Sequence, residues 1–211
     1  VLEESTSPPS NPEDLRHLCQ GYLDGLFQGI TGFVSYQPGE KESFAQKNIF
    51  LTYGEILFPS LNTVIDKLDL NTEDVFYDLG SGVGKVPLQV FLLSPVRAAY
   101  GIEASVARSE PSKRVLTQVK NDLPELFTNN RDLQFITSNF LEHDLTNATV
   151  VYTCATCFSD ELLQNISDKL ALSPNLKYIL SLKAFNPPLA LRETVEIECT
   201  WGTTQCYIYA K

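Results

Sequence analysis

Apolar residues recur at helical spacing near the start of the chain. Leu15, Leu18, Cys19, Tyr22, Leu26 and Phe27 predict a helix over residues 12–33. Asn11 stands where its side chain can cap the first turn, and Pro12 falls at the first helical position, where a missing N–H costs nothing. A second helix is predicted over residues 59–68, with Leu61, Val64, Ile65 and Leu68 on one face. The two form a small N-terminal helical cap. Beyond Asn71 the pattern changes to short apolar runs alternating with longer mixed segments. Residues 75–79, 98–103, 133–137, 149–153 and 178–182 read as strands, and 86–93, 106–126 and 160–170 as helices. Pro87 then lies in a first turn, while Pro111 and Pro124 interrupt the longest helix. Residues 194–200 and 205–210 follow with only Trp201-Gly202-Thr203-Thr204 between them, which predicts an antiparallel hairpin. Alternating strands and helices imply an α/β fold: a seven-stranded, mostly parallel sheet covered on both faces and closed by that hairpin.

Residues 1–12 are polar and proline-rich and read as a loose tail; residues 36–48 read as a polar loop. The chain therefore divides into an N-terminal tail and helical segment, 1–48, and a main domain, 49–211. Hydrophobic residues make up 43% and charged residues 20%, as in a soluble globular protein, and no apolar run is long enough to span a bilayer. The net charge of −10 and pI near 4.6 argue against tight binding of naked nucleic acid, which needs a basic face, and suit a cationic partner such as a basic protein segment. Five cysteines, mostly inside apolar runs, point to a reducing compartment, cytoplasm or nucleus, rather than to a disulfide framework.

Asp78 ends the first strand of the main fold, and Gly80-Ser81-Gly82-Val83-Gly84 follows at once. Glycines at a strand-to-helix turn allow positive φ and close approach of a ligand to the backbone. The helix beyond aims free N–H groups at an anion. Glu103 ends the next strand, where a carboxylate accepts hydrogen bonds from two ribose hydroxyls. A nicotinamide-binding loop would place its third glycine at position 85, which is Lys85; a phosphate loop would need Ser or Thr at position 86, which is Val86. The G-x-G-x-G spacing with flanking acids suits S-adenosylmethionine (SAM): Asp78 meets the ammonium of its methionine part and Glu103 its ribose. With the closing hairpin, this is the Rossmann-like arrangement of class I methyltransferases.

Thr52-Tyr53-Gly54-Glu55, the run from Val75 to Lys85, and Gly101-Ile102-Glu103 resemble the disruptor-of-telomeric-silencing (Dot-type) histone lysine methyltransferases. The segment from Thr156 to Leu162, Ser181-Leu182-Lys183 and Trp201-Gly202 look like a smaller Dot-like branch of microbes and protists. The similarity covers about residues 49–211. It implies a SAM-dependent enzyme that methylates a lysine amine on a protein. Carried over by position, Tyr53 and Glu55 close over SAM, with Glu55 near its amino group. Asp78, Gly80 and Gly82 hold the methionine part, Lys85 faces the cofactor, Glu103 takes the ribose, and Asn139 and Phe140 flank adenine. The family usually has an acid at the place of Asn139; an amide oxygen can still meet the adenine amino group.

After the fourth strand the histone enzymes carry two asparagines and a phenylalanine; this chain has Cys154, Ala155 and Thr156. The acceptor site thus falls on Tyr53, Cys154, Thr156 and Phe158, with Phe185 and Trp201 as further channel walls. A dry channel lowers the pKa of a lysine amine and so favours its reactive form. Neither Cys154 nor Ala155 can accept a strong hydrogen bond from an ammonium. Two further readings therefore stay open: a SAM- or S-adenosylhomocysteine-binding module without turnover, and a methyltransferase acting on a small molecule. Cys154 and Cys157 also form a C-x-x-C pair open to redox chemistry. No second pair completes a zinc site, so no metal is expected.

Overall fold

A computed structural model of the chain describes residues 11–33, 42, 44 and 52–211. The expected tail through residue 10, the polar loop from residue 36 (save residues 42 and 44) and the division at 48/49 lie outside the described residues.

Seven strands form one sheet in the order β3-β2-β1-β4-β5-β7-β6. They are β1 Val75–Leu79, β2 Ala98–Glu103, β3 Asp132–Thr137, β4 Val150–Thr153, β5 Tyr178–Ser181, β6 Ala190–Cys199 and β7 Gly202–Ala210. β1 to β5 run parallel, and β7 runs antiparallel to both β5 and β6. Among the described residues the complete α-helices are α1 Pro12–Leu26, α2 Phe58–Ile65, α3 Lys85–Leu93, α4 Val106–Asp122 and α5 Asp160–Leu170. β1 is buried on both faces, as a strand covered by helices must be. Phe76 belongs to the core cluster shared with Leu88 and Phe91 of α3. Val75, Tyr77 and Leu79 belong to the opposite cluster, with Leu162, Ile166 and Leu170 of α5. The order reverses between β1 and β4, and a crevice opens at the strand ends beside that switch point.

Three elements differ most from their sequence pattern, while α2 stops at Ile65 rather than 68 and β7 starts at Gly202 rather than 205. α1 stops at Leu26 with Phe27 as its C-cap, and Gly29 takes φ +74°, so the helix does not reach residue 33. Its buried stripe is Cys19, Leu23 and Phe27, which join the core cluster of Leu88 and Phe91, while Leu15 and Leu18 are exposed. Asn11 caps α1 as expected, its side chain accepting from Asp14 N–H at 2.9 Å. The long helix ends at Asp122, and residues Pro124–Phe127 form a separate 3-10 turn, because Pro124 cannot donate to a continuing ladder. β6 starts at Ala190, four residues before the expected 194, and only Thr200 and Trp201 separate it from β7.

β6 is an edge strand, and the segment before α2 is fastened to its end. Ile56 bridges Cys199, Leu57 N–H donates to Glu198 O at 3.0 Å, and Thr200 N–H donates to Glu55 O at 2.8 Å. Glu55 N–H also donates to Thr200 Oγ1 at 3.1 Å. This pairing carries Tyr53 and Glu55 across the strand ends. Among the described residues no helix is long and apolar enough to cross a membrane.

Candidate active site

The turn after β1 takes φ values of +91° at Gly80, +55° at Gly82 and +91° at Gly84. Such angles suit glycine because they have no Cβ to accommodate. Gly80 and Ser81 N–H groups donate to Ile102 O at 2.9 and 3.1 Å, so the turn lies down on the end of β2. Gly101 leaves room for this: a Cβ there would stand 2.7 Å from Ser81 Oγ. Pro87 falls in the first turn of α3, where it breaks no hydrogen bond.

Glu103 is buried at the end of β2. Its Oε2 accepts from Gly82 N–H at 2.9 Å and its Oε1 from Ser105 N–H at 2.8 Å. Burial pushes its pKa up, opposed by these N–H groups and by the Arg108 guanidinium. Each oxygen keeps a lone pair for a further donor. Asp78, 2% exposed, has one oxygen, Oδ1, with no hydrogen-bond partner among the described residues. Burial first, then the charge of Glu103, raises its pKa well above the usual carboxylate value. An unpartnered buried carboxylate is costly and rare in native proteins, and a cation carried in by a ligand would offset that cost. These groups fit S-adenosylmethionine. The glycine cradle admits the backbone of its methionine part, Asp78 would meet its ammonium, and Glu103 its ribose hydroxyls.

The crevice, about 380 Å³, brings together all but one of the residues expected at the site: Tyr53, Glu55, Asp78, Gly80, Gly82, Lys85, Glu103, Asn139, Phe140, Cys154, Thr156, Phe158 and Trp201. Phe185 does not line it; that ring packs on Tyr209 at 5.6 Å between centroids. Asn139 Oδ1 accepts from Leu141 N–H at 3.0 Å, which leaves this oxygen one lone pair for a purine. Glu55 receives the Tyr53 hydroxyl and pairs with Lys85 Nζ at 2.7 Å, so its charge is balanced inside the protein. Lys183 Nζ donates to Phe158 O at 2.8 Å and fixes the turn that carries Phe158. Burial pushes the Cys154 thiol up to about 12, so it holds its proton and is a poor nucleophile. Among the described residues no group of metal-ligating side chains occurs.

Sequence reasoning missed Arg108. It is buried on α4, its guanidinium 5.0 Å from the Tyr53 ring centroid, and its Nε donates to Gly32 O at 3.0 Å. Phe33 meets Tyr53 edge-on at 5.4 Å. Gly32 and Gly82 both pack on the Tyr53 ring, so closely that a Cβ at either would collide with it. Arg108 thus ties the end of the α1 segment, the tyrosine and Glu103 together. Replacing Arg108 by leucine should weaken S-adenosylhomocysteine binding about 3- to 30-fold, the scale of one cation–π contact. Calorimetry checks this; an unaltered dissociation constant would show that the clamp does not reach the cofactor crevice.

The strand order, the glycine turn and the two acids define a class I SAM-dependent methyltransferase fold. An RNA methyltransferase from Salinibacter ruber, solved with S-adenosyl-L-homocysteine, shares this fold at TM-score 0.51 and 20% identity, over 72% of this chain and 90% of that one. Residues 40–201 match the family described as histone methylation protein DOT1, and the chain belongs to that family. A histone-lysine N-methyltransferase, H3 lysine-79 specific, of Yarrowia lipolytica is 30% identical over 182 residues, 83% of this chain and 35% of that protein. Its Drosophila melanogaster counterpart is 24% identical over 198 residues, 89% of this chain and 10% of that protein. The chain therefore spans about a third or less of the length of these curated relatives.

Proposed function

We propose that the chain transfers a methyl group from SAM to a lysine amine on a protein, with a histone in the nucleus as first candidate. The observation that carries this reading is the unpartnered Asp78 carboxylate buried beside a glycine cradle and Glu103. Membership of the DOT1 family supplies the acceptor class. SAM, when bound, supplies an already activated methyl group, so the protein's task is alignment and exclusion of water. Asp78 would hold the ammonium. Glu103, preset by two backbone N–H groups, would hold the ribose. Asn139 and Phe140 would flank the base, and Tyr53, locked by Gly32, Gly82 and Arg108, would cover the whole. Phe158 and Trp201 form an apolar wall on the acceptor side, where a lysine loses its proton more readily. The chain's net charge of −10 would draw in a basic segment.

Cys154 and Ala155, which offer no strong acceptor, favour a second reading: a binding module without turnover. Incubation of the full chain with core histones and methyl-labelled SAM, alongside calorimetry with S-adenosylhomocysteine, separates them. Label on lysine supports the enzyme. Binding with no label on histones or mixed protein extracts supports the module. Absence of binding by folded protein removes both.

A further inference from the structure

Tyr152 lies on β4 in register with Asp78 of β1, and two residues before Cys154. It is 2% exposed, yet it lines the crevice. Its ring is packed in the core cluster that contains Ile56, Leu180, Cys199, Cys206 and Ile208, beneath the β6–β7 hairpin. The structure gives its hydroxyl no hydrogen-bond partner among the described residues. Among the described residues the fully buried unpartnered oxygens are Asp78 Oδ1 and Ser105 Oγ; the Tyr152 oxygen is not among them and so keeps some accessible surface, in a residue that lines the crevice.

Its position in the sheet decides which half of the crevice it serves. The cradle and the ribose acid stand on β1 and β2, and Asn139 and Phe140 follow β3. Tyr152 is on β4, across the switch point from these, on the side of Cys154, Phe158 and Trp201. Other polar groups there are committed or weak. Glu55 is held by Lys85 and Tyr53, Cys154 is a protonated thiol, and the Thr156 hydroxyl leans toward Cys157 Sγ at 3.9 Å.

Resting on the lysine-transfer reading above, we propose that the Tyr152 hydroxyl is the group that orients the acceptor amine. The neutral amine would donate one N–H to the phenol oxygen, turning its lone pair toward the methyl group. The nitrogen then forms its bond to the methyl carbon as the sulfur–carbon bond breaks. Sulfur keeps that electron pair, and the methylated ammonium releases its proton to water. The phenol is not the base. Burial, then the neighbouring Cys154, Asp78, Cys206 and Cys199, raise its pKa well above the usual phenol range, so it keeps its proton throughout.

The test uses the full chain and its Tyr152→Phe variant, which removes one oxygen. The probes are S-adenosylhomocysteine and two SAM analogues whose methyl group is replaced by an alkyl arm, one ending in an amine and the other in a methyl. Wild-type protein should prefer the amine-ended analogue about 3- to 10-fold over its hydrocarbon twin, the scale of one hydrogen bond, and Tyr152→Phe should lose that preference. S-adenosylhomocysteine affinity and melting temperature should stay the same in both. An amine preference that survives in Tyr152→Phe, or is missing from wild type, overturns the proposal while the donor site stands. A variant with weakened S-adenosylhomocysteine binding would move Tyr152 to the donor site and also overturn it. Wild-type protein that binds no S-adenosylhomocysteine would bring down the underlying reading itself.

Discussion

Asp78→Asn should bind SAM about 10- to 150-fold more weakly than wild type, yet melt at a higher temperature when cofactor-free. The loss follows from replacing a charged partner of the ammonium by an amide, which forfeits about 1.5–3 kcal/mol. The gain follows from the same atom: Asp78 Oδ1 is buried with no partner among the described residues, and an amide there costs less to bury than a carboxylate. The pH dependence has a definite sign. Burial and the charge of Glu103 raise the native pKa of Asp78 above its value in the unfolded chain. Between the ordinary aspartate value of about 4 and that raised value, the native state holds a proton that the unfolded chain has lost. Stability of the cofactor-free protein therefore falls as pH rises through this window. Asp78→Asn should flatten the slope, leaving the smaller contribution of Glu103, whose pKa is also raised. Melting curves from about pH 4 upward test the slope, and calorimetry tests the affinity. A variant that binds SAM like wild type would remove Asp78 from the cofactor site.

Gly84→Ala should lower the melting temperature by about 4–20 °C. At φ +91° a side chain costs about 1–2 kcal/mol. The added Cβ would stand 2.4, 2.8 and 2.9 Å from three atoms of the Phe135 ring. Phe135 is buried in the core cluster, so relief requires a shift of β3 or of the turn, at about 1–3 kcal/mol. Together, at about 2–4 °C per kcal/mol for a chain of this size, these set the range. Gly21→Ala is the natural comparison. Nothing lies within 4 Å of a Cβ there, and the residue sits inside α1, where alanine is the better helix former. Thermal unfolding of both variants should move in opposite directions; a Gly84→Ala protein as stable as wild type would contradict the packing described.

The parallel strands and the donor side of the crevice were legible because local rules fix them. A buried strand ending in Asp78, a glycine triplet, and an acid ending the next strand each carry their own signal. The rest depended on contacts between distant parts of the chain. The apolar residues of α1 include two stripes, and only docking on α3 decided that Cys19, Leu23 and Phe27 go inward while Leu18 stays 62% exposed. The early start of β6 was hidden by Arg192 and by a register shift between Leu191 and Glu193, which breaks the period-two alternation. Arg108 reads as one more charged residue on a solvated helix. Its burial comes from Gly32 O and the Tyr53 ring, both more than fifty positions away. Phe185 was expected among the aromatic channel walls, but the Tyr209 ring and hydroxyl hold it aside.

The fastening of residues 55–57 to the end of β6 has a consequence for colloidal behaviour. An open sheet rim is a template on which strands from other molecules can add, and proteins guard such rims by covering them. Here the guard is the stretch that carries Tyr53 and Glu55, held by Ile56, Leu57 and Thr200. A lesion that loosens this stretch would both uncover the crevice and bare a sticky border, so aggregation and loss of ligand grip should arise together from one change.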